Sequence, residues 1–261
     1  MTEKTKTTTW KAIVAVAGVL IAAITAYAAL VQADILDNPR AAKTETTAEP
    51  TAMQAGADPI DPTNRTGPQL AVGDITHFGQ YDWRVLDVQG GKALLLSEDI
   101  LEMRPYNTEY TDVTWETCTL RAYLNGEFYN KFNEAERSRI APTRNDNPDN
   151  TWGTYHGEHF NTPGGNPTDD HVSLLSVPEI LKYFPGLKLH RDSDGNEWYY
   201  EPDERFVAKF NSSRHWWWLR SPGIYQNYAA GVYDDGGVSL YGDYVDIEGG
   251  VRPALWLNLE S

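Results

Sequence analysis

The first pattern along the chain is an uncharged and mostly apolar run from Ala12 to Val31. In a helix that rises about 1.5 Å per residue, such a run is long enough to cross a hydrocarbon core of about 30 Å. Lys4, Lys6 and Lys11 precede the run, and a lysine excess is typical of the cytoplasmic side. The pattern therefore predicts a membrane-spanning helix that places the rest of the chain outside the cell.

The same residues also fit a cleavable signal peptide. Small residues suited to cleavage end at Ala28 and at Ala33. Residues 1–33 are therefore interpreted as a signal anchor or a signal peptide. The protein is expected to be a single-pass protein of the cell membrane, or a secreted one if it is cleaved near Ala28 or Ala33. Contact with the membrane is expected only through residues 12–31.

The next segment, residues 34–71, has no apolar periodicity. It is rich in Ala, Thr and Asp, and prolines recur at Pro39, Pro50, Pro59, Pro62 and Pro68. Such a segment buries too little surface to offset the entropy cost of ordering it. It is predicted to be a flexible linker that leads to a single globular extracellular domain at 72–261.

The predicted domain begins with the pattern of a β-hairpin. Apolar residues are frequent in 75–78, 81–88 and 92–97, and Gln89-Gly90-Gly91 lies between the last two segments. Two apolar runs on either side of a glycine-containing turn are typical of paired antiparallel strands.

Two short helices are predicted further along the chain. Apolar residues between 120 and 132 recur at helical spacing, and Thr114 is the expected N-cap. A second helix is expected to start at Ser176, to carry Pro178 in its first turn and to end before Pro185.

The C-terminal part predicts an antiparallel meander with strands at 216–220, 229–233, 238–241 and 251–259. Pro253 is expected to make the last strand an edge strand or to mark a bulge, because proline lacks a backbone donor. The predicted fold class is therefore α+β, with antiparallel sheets, two short helices and long loops.

Two long polar segments, 142–170 and 187–203, separate these predicted elements. Compact domains rarely contain structureless loops of that length unless the loops bind something. The segments are therefore predicted to be binding loops.

The charge of the chain narrows the range of partners. The net charge is −15, and beyond residue 33 there are 19 basic and 36 acidic side chains. A surface this acidic repels phosphate backbones, so no nucleic-acid partner is expected.

The one cysteine, Cys118, is expected to be a small buried residue, and the fold must rest on packing without a disulfide.

Several segments together resemble a bacterial family of exported domains of unknown function. They are DWRVL at 82–86, LRAYLN at 120–125, WWLRSPG at 217–223 and GVRPALWLNL at 250–259. The order of hairpin, helices, long loops and closing meander is also similar to the C-type-lectin-like fold, which includes the sulfatase-modifying-factor group. The resemblance implies that fold and an extracellular location. The glycan-binding motifs of C-type lectins are absent from this sequence.

Trp216, Trp217, Trp218 and Arg220 are the candidate ligand-binding residues. Exposed tryptophans can stack on a sugar or dock a peptide, and an arginine can bind an anion through two hydrogen bonds. The alternative is that the indoles belong to the core, and that Arg220 and Arg252 are partly buried and paired with acids.

Asp192, Asp194 and Asn196 are the candidate metal ligands, because clustered oxygens suit calcium. The spacing departs from that of an EF-hand, and a simple Asp-Gly hairpin turn is the alternative. His156, Glu158 and His159 are a weaker candidate for zinc. No cofactor is predicted, although calcium is compatible with the sequence.

The chain contains none of the catalytic motifs that mark nucleophile elbows, phosphate loops or dinucleotide sites. The preferred hypothesis is a non-enzymatic extracellular module, tethered to a bacterial membrane, that recognises a cell-surface protein or glycan. One alternative is an exported enzyme that acts on glycans through paired carboxylates. Another is a structural subunit of an envelope complex.

Overall fold

The computed structural model describes residues 70–201 and 203–259. They belong to one compact unit, Thr66–Ser261. The predicted membrane or signal segment lies outside the described residues, as does the predicted linker up to residue 69. Within the described part of the chain, no helix has the length and hydrophobicity needed to cross a bilayer.

The helical part of the described chain is small. Helix α1, Thr119–Tyr123, continues into a π-helical turn, Leu124–Phe128, and a 3-10 turn, Tyr129–Lys131. Helix α2 is Glu134–Arg139, and helix α3 is Val177–Tyr183.

The described residues form mostly strands. In chain order these are β1 (Ile75–Phe78), β2 (Tyr81–Gln89), β3 (Lys92–Ser97), β4 (Glu102–Pro105), β5 (Ile140–Ala141), β6 (Thr143–Asn145), β7 (Thr154–Tyr155), β8 (Glu158–His159), β9 (Thr168–Asp170), β10 (Lys188–Arg191), β11 (Glu197–Tyr200), β12 (Ala208–Phe210), β13 (Ser213–His215), β14 (Trp217–Pro222), β15 (Tyr228–Val232), β16 (Val238–Tyr244), β17 (Glu248–Val251) and β18 (Ala254–Asn258).

Two larger sheets contain most of these strands. The first has the order β1-β2-β3-β18-β5, and all of its pairs are antiparallel. The second has the order β10-β11-β16-β15-β14-β17-β4, in which only β14 and β17 run parallel. The domain is thus an α+β fold of mainly antiparallel sheets with few short helices, as the sequence predicted at this level.

The hydrophobic core is divided into two clusters, and individual strands contribute to both. In β3, Leu95 packs in one cluster while Leu94 and Leu96 pack in the other. In β14, Trp218 belongs to the first cluster and Trp217 to the second. Because successive side chains point to opposite faces, a strand covered on both faces needs a continuous apolar run. This explains why β3 and β14 lack the alternation of a half-exposed strand.

The N-cap predicted at Thr114 lies four residues later, at Cys118. Trp115 is buried, and its indole N–H donates to the carboxylate of Asp170 at 3.0 Å. Residues 114–117 therefore form a turn that directs Trp115 into the core. The Asn107 amide oxygen accepts from the Thr119 backbone N–H at 3.1 Å. This bond satisfies one of the backbone donors that have no partner within the first turn of the helix.

Cys118 is 2% exposed, as predicted, and burial raises the pKa of its thiol to about 12. A thiol with so high a pKa is protonated near neutral pH and is a poor nucleophile.

The second predicted helix is confirmed. Ser176 caps α3 through a capping box with Glu179, and Pro178 lies in the first turn. Helix α2 was not predicted, because no buried residue marks its six positions.

The two predicted long loops are not structureless. Segment 187–203 forms the hairpin β10–β11, and β11 pairs with β16 to extend the seven-stranded sheet. Segment 142–170 contains four short strands, and Asn150 anchors it by donating to the carbonyls of Pro222 and Leu240, both at 2.8 Å. These pairings lie between residues distant in sequence, so local patterns do not reveal them.

The closing strand predicted over 251–259 is divided by Pro253. Residues before it belong to β17 in the seven-stranded sheet, and residues after it belong to β18 in the five-stranded sheet. Strand β18 lies between β3 and β5, so it is not an edge strand. The proline marks a change of sheet, where a missing backbone donor breaks no ladder.

Candidate functional site

Segments 142–170 and 187–203 meet at a pair of hairpins. The Thr154 hydroxyl donates to the Gly195 carbonyl at 2.7 Å, and the His156 backbone N–H donates to the Asn196 side-chain oxygen at 3.0 Å. Gly195 has a φ of 83°, and a Cβ there would lie 2.6 Å from the Gly157 nitrogen. The close approach of β7–β8 to β10–β11 therefore depends on a glycine at this turn.

Aromatic residues line a cleft of about 450 Å³ beside these hairpins. Tyr155 comes from β7, Trp198 from β11, Tyr233 from the end of β15 and Tyr241 from β16. The Tyr155 and Tyr241 rings are 5.9 Å apart between centroids, and the Tyr233 hydroxyl lies 3.0 Å from that of Tyr241. Three separate hairpins thus contribute rings to one concave surface.

Oxygen-bearing side chains complete the cleft. Asp192, Asn196 and Asp235 line it together with Gly237. Asp192 accepts from the backbone N–H groups of Asp194 and Asn196, both at 2.9 Å, and Asp235 accepts from that of Gly237 at 2.8 Å. Both carboxylates are therefore held by turns of the hairpins that bear the rings.

The protonation of these groups suits ligand binding near neutral pH. Hydrogen bonds from the backbone and side chain of Asn196 lower the pKa of Asp192, so this carboxylate stays ionised and accepts hydrogen bonds. Burial raises the pKa of Tyr233, so its phenol stays protonated. The cleft offers apolar ring faces, hydrogen-bond acceptors and phenolic O–H groups.

The predicted metal ligands lie on the β10–β11 turn. Asp192 and Asn196 line the cleft, whereas Asp194 is exposed, and its backbone N–H supports Asp192. In residues 70–201 and 203–259 no three His, Cys, Asp or Glu side chains cluster as metal ligands do. His156, Glu158 and His159 are exposed on the β7–β8 hairpin. Calcium binding remains a prediction.

The tryptophan triplet is mostly core. Trp217 and Trp218 are fully buried, and their indole N–H groups donate to the carbonyls of Phe206 at 3.0 Å and Arg104 at 2.9 Å. Trp216 is partly exposed and packs its ring 4.5 Å from that of Trp218. The two inner indoles therefore offer no ring face to a ligand in this structure.

Arg220 is also buried, at 4% exposure. Its guanidinium pairs with Glu179 and donates to the Leu174 carbonyl at 2.7 Å and the Asn147 side-chain oxygen at 3.3 Å. The alternative interpretation, an arginine paired with an acid, agrees with this geometry. Arg220 connects β14 to α3 and to segment 142–170.

Sequence reasoning did not select the aromatic residues of the cleft. Tyr155, Trp198 and Tyr233 lie at or next to strand ends, whereas Tyr241 lies in the middle of β16. Trp198 and Tyr233 flank the turns that contain Asp192 and Asp235. The sequence feature that could have indicated these residues is the presence of aromatic residues next to Asp-Gly turns. Their convergence follows from the β11–β16 pairing, which the sequence did not reveal.

The fold and cleft define a β-rich α+β domain with an aromatic-lined cleft beside the hairpins of its larger sheet. Residues 90–259 match the family described as a domain of unknown function (DUF6273). The match covers more than half of the chain, so the chain belongs to this family. Strands β1 and β2 precede the matched residues. No curated protein and no solved structure matches the chain.

Proposed function

We propose that the domain is a carbohydrate-binding module and that the cleft of Tyr155, Trp198, Tyr233 and Tyr241 binds the sugar. The observation that carries the proposal is the convergence of four aromatic side chains and two carboxylates on one cleft. Ring faces pack against the apolar C–H faces of sugars, while carboxylate and amide oxygens accept from their hydroxyls.

Export and tethering belong to the same proposal. The run at 12–31 would hold the domain outside the membrane, where surface glycans are available. The C-type-lectin-like arrangement is supported by the order of hairpin, helices and closing meander. That support is an analogy of fold, so the binding proposal depends on the cleft alone.

Binding fits the cleft better than glycan hydrolysis. A hydrolase that acts through paired carboxyls needs one of them protonated near the working pH. The lowered pKa of Asp192 keeps that group ionised, so it suits a hydrogen-bond acceptor and could not be the general acid of such a pair.

The test is titration of the full chain with short neutral oligomers of glucose and of N-acetylglucosamine. Trp198→Ala and Tyr233→Ala should each weaken binding about tenfold, equivalent to about 1.4 kcal/mol, because each removes a stacking face. Tyr233→Phe keeps the ring and should weaken binding less. Tyr225→Ala, in an exposed tyrosine outside the cleft, is the matched control and should bind like the parent.

Two outcomes would contradict the proposal. One is that none of the oligomers binds, and the other is that binding is equal in the parent and in Trp198→Ala. The calcium prediction is decided in the same experiment with a chelator and with Asp192→Asn. The asparagine keeps one oxygen for the backbone hydrogen bonds of the turn but removes the charge and one acceptor, so calcium-dependent binding should be lost, whereas calcium-independent binding should only weaken.

A further inference from the structure

A second aromatic surface lies outside the cleft. Tyr110, Tyr225, Tyr228 and Tyr244 form a continuous group, which we call the tyrosine cluster. Centroid distances along it are 5.5 Å from Tyr225 to Tyr228, 4.5 Å from Tyr228 to Tyr244 and 5.3 Å from Tyr244 to Tyr110. Tyr225 is 57% exposed, Tyr110 55% and Tyr244 42%. Rings this exposed contribute little to the core, so packing does not account for the cluster.

Backbone hydrogen bonds fix the three segments that present the cluster. The Val113 N–H donates to the Gln226 carbonyl at 3.1 Å, and the Gln226 side chain donates back to the Val113 carbonyl at 2.7 Å. The Val245 N–H donates to the Asn227 carbonyl at 3.1 Å. The backbone that carries the rings is therefore ordered before any partner arrives, which lowers the entropy cost of binding.

The three chain segments that carry the cluster have charge of one sign. Segments 106–114, 223–228 and 241–248 contain no Lys, Arg or His, but they contain five acids: Glu109, Asp112, Asp243, Asp246 and Glu248. In the described part of the chain, none of the five takes part in a salt bridge. Burial and the neighbouring phenols raise the pKa of Tyr228, and the charge of Asp243 raises it further. The Asp243 carboxylate therefore lies near the rings.

We propose that the tyrosine cluster docks a lysine- or arginine-rich segment of another polypeptide. Exposed tyrosine faces attract ammonium and guanidinium groups, and tyrosine gives a large contact area at low conformational cost. The unpaired acids complement the same cations and repel anionic lipid or nucleic acid. The rings of the cluster are not those that line the cleft, and the two proposals are tested with different ligands, so either can fail without the other.

The test uses the full chain and a fluorescent peptide of alternating lysine and glycine, followed by anisotropy. Tyr110→Ala and Tyr225→Ala should each weaken binding about three- to tenfold, and the double variant more than tenfold. Tyr225→Phe should restore most of the affinity, because phenylalanine keeps a ring face. Tyr200→Ala, in a partly exposed tyrosine of β11 outside the cluster, is the matched control and should bind the peptide like the parent.

A second pair of variants tests the charge. Asp243→Asn with Asp246→Asn should weaken peptide binding, and the difference from the parent should shrink as salt is added. Glu127→Gln with Glu134→Gln, two exposed acids outside the cluster, is the control for loss of two charges elsewhere. Circular dichroism would verify that each variant is folded.

Three results would overturn the proposal. The first is that the peptide does not bind the full chain. The second is that it binds with equal affinity to the parent and the double tyrosine variant, because the net negative charge of the domain would then account for binding without the rings. The third is that the cluster binds the neutral oligosaccharides and that Tyr225→Ala abolishes this binding, which would make it a sugar surface.

Discussion

Arg252 illustrates how one side chain connects the two sheets. It is 1% exposed and lies where the chain leaves β17 for β18. Its guanidinium donates to the carbonyls of Ser97 at 2.9 Å, Glu98 at 3.0 Å and Arg205 at 3.0 Å, and stands 5.0 Å from the ring of Trp217. The alternative of an acid partner was wrong for Arg252, whose hydrogen-bond partners are carbonyls. Burial lowers its pKa to about 10, which leaves it charged near neutral pH.

Replacing this arginine, Arg252→Lys, should destabilise the fold. One ammonium cannot reach three carbonyls that the planar guanidinium reaches together, so at least one buried acceptor loses its partner. We expect the free energy of unfolding to fall by about 2–4 kcal/mol, measured by denaturant titration. Arg214→Lys, in an exposed pair with Glu204, is the matched control and should change it by less than about 0.5 kcal/mol. Equal effects in the two variants would contradict this account.

Helix α3 shows how a short element becomes stable. It has only seven residues, too few to persist alone, so its caps and its packing must stabilise it. Ser176 and Glu179 satisfy its first donors, and Ile180 is fully buried against the second core cluster. Glu179 also pairs with Arg220, so the start of the helix is joined to β14.

The helix cap gives a prediction at the scale of this element. Ser176→Ala should lower the free energy of unfolding by about 1 kcal/mol, because a backbone donor at the helix start loses its acceptor. Ser138→Ala in α2 is the control: its hydroxyl bonds a carbonyl three residues earlier and caps nothing. Thermal unfolding of both variants would show the difference, and an equal loss in Ser138→Ala would argue against the cap.

Across the whole molecule, acids outnumber bases, and several carboxyls depend on the few cations available. Burial alone would raise the pKa of Glu179, but the Arg220 charge and the Ser176 hydrogen bonds outweigh burial and lower it. Arg205 lowers the pKa of Asp203 through hydrogen bonds. Burial would raise the pKa of Glu102, but hydrogen bonds from Lys131 and Tyr123 lower it.

These lowered pKa values set the direction of pH dependence. A carboxyl that binds its proton more weakly in the folded state stabilises the fold above its unfolded pKa, about 4. The contribution disappears as the pH falls through the lower folded pKa. We expect the melting temperature to decrease below about pH 4, measured by calorimetry between neutral and acidic pH. Glu179→Gln should melt lower than the parent at neutral pH, and the gap should narrow in acid. A constant gap would contradict the role of the Glu179 charge.

The sequence by itself determined the strands with continuous apolar runs, the cap of α3 and the burial of Cys118. Each of those features depends on residues that are close in sequence. They are a continuous apolar run for the strands, a Ser-x-x-Glu pattern for the cap and a small apolar residue for Cys118. The hairpin around Gly90 was predictable for the same reason.

Only the tertiary structure decided which residues meet at the cleft and at the tyrosine cluster. The first surface requires β11 to pair with β16, and the second requires residues near 110, 226 and 245 to be hydrogen-bonded together. Contacts between distant segments arise when the whole core packs, and no local pattern specifies them. For the same reason, the sequence left open whether Trp217 and Arg220 are ligand-binding or buried residues, and it did not indicate the exposed tyrosines of the cluster.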